Sequence, residues 1–329
     1  MLRIFKDTNY GFIRWWRWAV GLTAVFLTIG LASFIRNPIN ESIEFTGGTL
    51  MQVEFRQPPN VSALRANLAA AGIPGVEIQQ FGSPREFTIR AQEPALVQSQ
   101  ERGASGVSRR IDRVLASSFG PGNARVVRTE AVGPRVGSEL KRSALIAMMI
   151  SFLITLIYLA IRFEWRFGAA AVVATAHDFV ATLAFLKLMN FEVSLMVVAG
   201  LLTVIGYSMN DTVIIFDRVR ENLRKSRRET LSATLDRAIN ETLPRSIITH
   251  ATSLASVLAL LILGGEVIRP FAWVMAFGIF TGTFSSMYVA APILVWIERK
   301  WPRKTSTFKA SPTATRTSQT PRSPVIATR

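Results

Sequence analysis

The sequence predicts a polytopic α-helical membrane protein that has six transmembrane helices and a small α+β domain outside the membrane. Of its 329 residues 49% are hydrophobic, and the mean hydropathy is +0.29, which is too apolar for a soluble protein of this length. Six apolar runs are each long enough to cross the ~30 Å hydrocarbon layer as a helix. A polar stretch, residues 36–139, separates the first run from the other five.

The N-terminal segment, residues 1–18, carries four basic residues and three tryptophans directly before the first apolar run, residues 19–35. Basic residues and tryptophans in this position are typical of the cytoplasmic interface of a membrane. A cleaved signal peptide is the alternative interpretation, but no clean small-x-small cleavage site follows the run. We therefore expect an uncut first transmembrane helix that enters the membrane from the cytoplasm.

The polar stretch, residues 36–139, alternates strand-like and helix-like segments. Period-two alternation of apolar residues predicts strands, whereas VSALRANLAAAG is typical of a helix. The predicted order is β-α-β-β-α-β, the ferredoxin-like pattern, over residues 50–55, 61–72, 76–81, 87–91, 107–119 and 125–131. Residues 44–49 link this domain to the first helix, and we expect Gly47-Gly48 to form a tight turn.

The stretch 140–297 contains the remaining apolar runs, at residues 140–161, 167–188, 193–216, 245–263 and 271–296. Six spans with a cytoplasmic start place both termini in the cytoplasm and the α+β domain outside. The segments that then lie in the cytoplasm are rich in Arg and Lys, which agrees with the positive-inside rule. Lys141 and Arg142, at the outer end of the second span, are an exception.

Two further cytoplasmic segments are predicted. Residues 217–244, between the fourth and fifth spans, repeat leucine or isoleucine at helical spacing among charges, which predicts an amphipathic helix near the membrane surface. The tail, residues 298–329, is rich in Ser, Thr, Pro and basic residues, and we expect it to be disordered. Its charge is compatible with contacts to anionic lipid headgroups, but an inert solvated tail is the favoured interpretation.

The composition also argues against several classes of function. The chain has no cysteine and two histidines, so neither a disulfide scaffold nor a zinc centre is expected. No GxxxxGK[ST] loop occurs, so nothing indicates ATP hydrolysis, and we expect no enzyme activity and no cofactor. The net charge of +16 is concentrated between and after the apolar runs, which indicates membrane orientation rather than nucleic-acid binding.

Asp211 is the first candidate for chemistry, because it lies between apolar residues of the fourth predicted span. A carboxylate costs at least ~2.5 kcal/mol at the bilayer centre, so we expect it to have a use. Our interpretation is that Asp211 takes up and releases a proton inside the membrane and thereby drives a conformational change. The alternative is that the span stops near Met209 and that residues 210–212 cap the next helix.

Arg245 opens the fifth predicted span directly after Pro244. Its side chain either extends to the membrane interface or pairs with Asp211 in one protonation state and separates from it in the other. The second arrangement would form a switch. His250, in the same span, indicates a polar interior, and a packing role is the favoured interpretation.

His177 and Asp178 lie side by side in the middle of the third predicted span. They either join the polar path or hydrogen-bond between helices, and the structural role is slightly favoured. In the sixth span, small residues recur at near-helical spacing, which predicts close helix packing without chemistry. These residues are Gly278, Gly282, Ser285 and Ser286.

Five motifs, in the right order, resemble the SecF family, the membrane subunits that work with SecD and the protein-export channel of bacteria. They are EFTGGT (44–49), AHD (176–178), GYSMNDTVIIFDRVREN (206–222), LPRSIITHATS (243–253) and GGEVIRPFAWVMAFGIFTGTFSSMYVAAP (264–292). The similarity covers nearly the whole chain up to about residue 302. Where the family usually has Thr-Ser, this sequence has Thr249-His250, so any role of His250 is local to this protein.

The resemblance implies a half-transporter of the resistance-nodulation-division (RND) type, with the ferredoxin-like domain in the periplasm and the helices in the inner membrane. It implies that proton motive force, with protons as the coupling ion, assists polypeptides emerging from the SecYEG channel. The implied partners are SecD, SecYEG, YidC or YajC, the unfolded polypeptide and membrane lipids. The family's proton-carrying Asp falls on Asp211 and its important Arg on Arg245. The alternative function is half of an RND-type exporter of small molecules or lipids.

Overall fold

A computed structural model describes residues 8–36, 38–73, 75–91, 103–120, 122–225 and 229–302, and all structural statements below concern these residues. In chain order, the first eight elements are α1 (Phe12–Arg36), α2 (Ile43–Thr46), β1 (Gly48–Phe55), α3 (Val61–Ala70), β2 (Glu77–Gln80), β3 (Glu86–Ala91), α4 (Gly103–Phe119) and β4 (Ala124–Val132). Then follow α5 (Pro134–Arg162), α6 (Trp165–Leu188), α7 (Leu195–Lys225), α8 (Leu231–Leu263), α9 (Gly265–Ser285), a π-helical segment (Ser286–Ala290) and α10 (Ala291–Lys300).

The α+β domain has the predicted ferredoxin-like order. Its four strands pair in the order β2-β3-β1-β4, and all three pairings are antiparallel. Because β3 lies between β1 and β2, the connection through α3 is the split crossover of this fold. Val53 on β1, Leu64 on α3 and Ile111 on α4 are all buried in one core between sheet and helices.

Gly47 and Gly48 form a close contact rather than only a tight turn. Gly47 has a φ of 73°, and a Cβ on it would lie 2.8 Å from the Cα of Pro134 at the start of α5. Gly48 has a φ of 134°, and its Cβ would lie 2.8 Å from the carbonyl oxygen of Ala91 on β3. Only glycine fits both the backbone conformation and the space, so this pair joins the domain tightly to α5.

Polar contacts fix the domain against the loop between α6 and α7. The Ser42 amide donates to the Val193 carbonyl at 3.0 Å, and the Leu195 amide donates to the Glu44 carboxylate at 2.6 Å. Arg90 on β3, which is buried, pairs with Glu192 at 3.4 Å. We call the end of the helical body that contacts the α+β domain the domain side, and we call the other end the opposite side.

Six helical stretches are long and apolar enough to cross a membrane, which agrees with the predicted number. They are α1, α5, α6, α7, α8 and the combined stretch from α9 to α10. The windows in α6, α7 and α9–α10 are at least half buried, whereas α1, α5 and α8 expose most of theirs. The inner three helices therefore provide most of the buried interior in which polar groups can lie.

The helices are longer than the apolar runs that predicted them. The first begins at Phe12 rather than at residue 19, and α5 begins at Pro134 rather than at residue 140, because interfacial polar residues continue each helix. Residues 298–300 belong to α10 rather than to the tail. The rest of the predicted tail from residue 303, and the N-terminal residues 1–7, lie outside the described residues.

The predicted amphipathic segment, residues 217–244, is helical over most of its length but is not one helix. The α7 helix continues to Lys225, and α8 runs without interruption from Leu231 through Pro244 into the fifth span. Leu235 and Ile239 are fully buried against α7 rather than turned towards a membrane surface. An apolar stripe has the same sequence pattern in both cases, so periodicity did not distinguish protein contact from lipid contact.

Candidate functional site

Asp211 lies in the middle of α7 and is buried, with 4% of its surface exposed. Two serine hydroxyls from two other elements hold its carboxylate. Ser246 on α8 donates to Oδ1 at 2.5 Å, and Ser286 at the start of the π-helical segment donates to Oδ2 at 2.8 Å. The predicted proton carrier is therefore the point at which three elements of the helical body meet.

The alternative interpretation of Asp211 as a helix cap is wrong. The α7 helix runs continuously from Leu195 to Lys225, so residues 210–212 begin no new helix. Thr212 and Ile215, which follow Asp211, are buried as well. The carboxylate consequently lies inside the span, where desolvation makes its charge costly.

Asp178 on α6 has a matching environment and is 1% exposed. Ser208 on α7 and Ser285 on α9 both donate to its Oδ2, the second at 2.5 Å. Nδ1 of the neighbouring His177 lies 3.0 Å from Oδ1. Asp178 thus makes the hydrogen bonds between helices that the sequence favoured for it.

Two adjacent residues, where α9 meets the π-helical segment, donate hydrogen bonds to the two different carboxylates: Ser285 to Asp178 and Ser286 to Asp211. Consecutive residues of an α-helix point about 100° apart. One serine can therefore reach Asp178 on α6 while the next reaches Asp211 on α7. The helix changes to π geometry directly at Ser286. Such π turns are frequent at functional sites.

The predicted close packing of the sixth span is confirmed at Gly278 and Gly282. A Cβ on Gly278 would lie 2.2 Å from Val204 Cγ2, and one on Gly282 would lie 3.1 Å from the Cα of Ser208, so α9 approaches α7 closely. Ser285 and Ser286 have contacts beyond close packing, because their buried hydroxyls donate hydrogen bonds to the two carboxylates.

Sequence reasoning also missed Ser208 and Ser246. Ser208 lies 30 residues from Asp178, and Ser246 lies 35 residues from Asp211, each on a different helix from its acid. No periodicity within one helix relates such residues, so the sequence carried no local signal for either pair.

Arg245 is exposed and does not contact Asp211 among the described residues. It lines a polar cavity of about 550 Å³ between α7 and α8 on the opposite side, together with Asp217, Glu221 and Glu241. Ile214, one turn beyond Asp211, and Thr242, one turn before Ser246, line the same cavity. The predicted Asp211–Arg245 pair is therefore open here, and the cavity ends about one helical turn from the carboxylate.

His250 and Tyr207 lie on the domain side of Asp211. Tyr207 is one turn before Asp211 on α7, and its ring centroid is 5.6 Å from that of His250 on α8. His250 is partly buried, and its Nδ1 has no hydrogen-bond partner among the described residues. The ring contact between Tyr207 and His250 agrees with a packing role for His250.

Two family models match the chain. The model described as "Protein export membrane protein SecD/SecF, C-terminal" matches residues 113–300. The "SecD/SecF GG Motif" matches residues 32–59, which contain the glycine pair at the junction between domain and membrane.

Known proteins resemble the chain over most of its length. The protein translocase subunit SecF of Gemmatimonas aurantiaca is 61% identical over 305 residues, covering 92% of this chain and 91% of the relative. The subunit of the same name from Desulfurispirillum indicum is 40% identical over 288 residues, covering 87% of this chain and 90% of the relative.

Among solved structures, SecDF of Thermus thermophilus, a translocon-associated membrane protein, superposes with a TM-score of 0.79 at 34% identity. The match covers 89% of this chain and 39% of that one, so the chain spans well under half of SecDF. A SecDF structure in a super-membrane-facing form gives a TM-score of 0.64 at the same identity.

Six candidate spans, a ferredoxin-like domain after the first, and carboxylates buried among the inner helices define a polytopic α-helical membrane protein. The chain belongs to the SecD/SecF family of protein export membrane proteins. A role in protein export follows from this membership.

Proposed function

We propose that the chain acts as a SecF-type subunit that uses the proton motive force, together with SecD, to assist polypeptide translocation through SecYEG. The observation that carries the proposal is the buried carboxylate of Asp211, held by Ser246 and Ser286 from two other elements. A group that changes charge at such a meeting point alters the packing of all three elements. YidC or YajC and the unfolded polypeptide belong to the same proposed assembly.

SecD would supply the other half of the transporter. The chain corresponds to 39% of the SecDF chain, which leaves room there for a second half of similar size. Large apolar side chains of α5 and α8, such as Met149 and Leu263, are strongly exposed. These faces require lipid or another membrane subunit as a neighbour.

We place the protein in the inner membrane with both termini in the cytoplasm and the α+β domain in the periplasm. The opposite side carries clustered basic residues, which supports a cytoplasmic location under the positive-inside rule. They include Arg162, Arg166, Arg218, Arg220 and Arg299.

Protons would enter from the periplasm and leave through the polar cavity that Arg245 lines. When Asp211 is protonated, the two serines hold a neutral acid, and Arg245 stays in the cavity. When Asp211 loses its proton, its negative charge attracts Arg245 across the one intervening turn. One charge crossing the membrane field supplies about 2.3 kcal/mol per 100 mV, so a few protons can move a domain.

This mechanism makes the protein a proton-coupled motor rather than an enzyme, and it requires no cofactor. The coupling ion is the proton because each buried carboxylate binds through hydroxyls, which can donate to a carboxylate and accept from a carboxylic acid.

The test is export of a secreted protein into inverted membrane vesicles with and without a proton gradient. Asp211→Asn should abolish the part of export that depends on the gradient. Asp112→Asn, on an exposed turn of α4, is the matched control and should retain it. Gradient-dependent export by Asp211→Asn at normal protein levels would leave the chain as a scaffold of the translocase.

A further inference from the structure

A second cavity, of about 370 Å³, lies between α1 and the stretch from the π-helical segment to α10. Its walls are almost entirely apolar and include Val20, Ala24 and Leu27 on α1, and Val289 and Ile293 on the other side. It is distinct from the polar cavity that Arg245 lines.

The groove extends through one membrane leaflet. Its wall on α1 runs from Ile13 to Leu27, which at ~1.5 Å per residue is about 21 Å. Half of the ~30 Å hydrocarbon layer is about 15 Å, so the groove spans the acyl region of one leaflet and reaches its headgroup region. A single acyl chain therefore fits the groove along its length.

The mouth of the groove, on the opposite side, is basic and aromatic. Arg299, Trp16 and Trp296 line it, together with the hydroxyl-bearing Ser232. Arg17 lies at the edge of the same face of α1, four residues after Ile13 and three before Val20. Arginine binds phosphate through paired N–H groups, and tryptophan lies preferentially at the headgroup level.

We propose that this groove binds one anionic phospholipid of the cytoplasmic leaflet. One acyl chain lies between α1 and α10, and the phosphate group contacts Arg17 and Arg299. An apolar slot with cations only at its mouth complements an anionic amphiphile, and the cytoplasmic leaflet carries anionic lipids. The proposal rests on the orientation given under Proposed function and on no part of the proton mechanism.

The inner end of the groove contacts His177, next to the buried Asp178. His177 Nε2 is buried and has no hydrogen-bond partner among the described residues. An acyl chain in the groove excludes water from this nitrogen, and thereby also from the hydrogen bonds of Asp178.

The test is native mass spectrometry of the full chain released from nanodiscs of equal parts phosphatidylglycerol and phosphatidylcholine. The wild-type chain should retain one phosphatidylglycerol. Arg17→Gln combined with Arg299→Gln should weaken its retention about thirtyfold. Ala24→Trp, which fills the groove, should also remove it.

Matched controls lie on the same helix. Arg14→Gln and Leu22→Trp change exposed positions outside the groove and should retain the lipid. Asp211→Asn should retain it too, so loss of proton-driven export and loss of the lipid are separate outcomes. Equal retention of both lipids, retention by the groove variants, or loss of the lipid when SecD is co-expressed would overturn the proposal; the last result would give the groove to SecD.

Discussion

Asp178 and Asp211 have nearly the same hydrogen bonds but different surroundings. Each is buried, and each accepts hydrogen bonds from two serines on two other elements. Asp178 has His177 beside it and lies deep among α6, α7 and α9. Asp211 lies one helical turn from the polar cavity that the guanidinium group of Arg245 lines. The two carboxylates therefore differ in their access to the cavity and to Arg245 rather than in their local hydrogen bonds.

The largest expected effect separates these two carboxylates directly. Asp178→Asn should retain gradient-dependent export, because an amide oxygen still accepts from both serines and the amide nitrogen can donate to His177 Nδ1. Asp211→Asn should lose all of it. Quantitative export into inverted vesicles measures both, and loss of export in the Asp178→Asn protein would make Asp178 a second proton carrier.

A change at Gly278 tests the close packing of α9 against α7, which positions the two serines that bond the carboxylates. Gly278→Ala places a Cβ 2.2 Å from Val204 Cγ2, and we expect overpacking to cost about 1–3 kcal/mol. Thermal unfolding in detergent measures the loss. Gly206→Ala on α7, where a Cβ meets nothing within 4 Å, is the control and should be at least as stable as the wild type.

A change at Arg245 tests whether this side chain in the polar cavity affects export without affecting the stability of the fold. Arg245→Gln should impair gradient-dependent export while changing the free energy of unfolding by less than about 0.5 kcal/mol, because the side chain is exposed. Export and thermal unfolding on the same preparations give the answer. A large loss of stability would mean that the arginine supports the fold rather than the switch.

The smallest expected effect lies at the junction between the domain and the helices. Burial raises the pKa of Glu192 from the ordinary range of a glutamate, although the charge of Arg90 opposes this. A raised pKa favours the fold at low pH, and this contribution is lost as pH rises through the folded-state pKa.

We therefore expect the wild type to gain stability relative to Glu192→Gln as pH falls from 7 towards about 4.3, the ordinary pKa of Glu. Melting temperatures of both proteins across that range measure the difference. A difference that stays constant with pH would show that Glu192 does not change its charge on folding.

The fold was largely predictable from sequence, because spans and strands leave local periodic signals. Asp211 was predictable for a similar reason, as a lone acid in an apolar run. Its ligands were not: Ser246 and Ser286 lie 35 and 75 residues away, on other elements. The π turn at Ser286 was also invisible, because its residues suit an α-helix equally well.

The glycine junction has a mechanical consequence. Strands β1 and β4 are neighbours in the sheet, and β1 follows Gly47 while β4 leads into Pro134, so both attachments of the domain meet at one corner. A change in the tilt of α5 would therefore turn the whole sheet about that corner. The Arg90–Glu192 ion pair and the Ser42–Val193 and Leu195–Glu44 hydrogen bonds hold the domain at the loop between α6 and α7, so they would have to break in such a movement. Distances between spectroscopic labels on the domain and on α6 would record it.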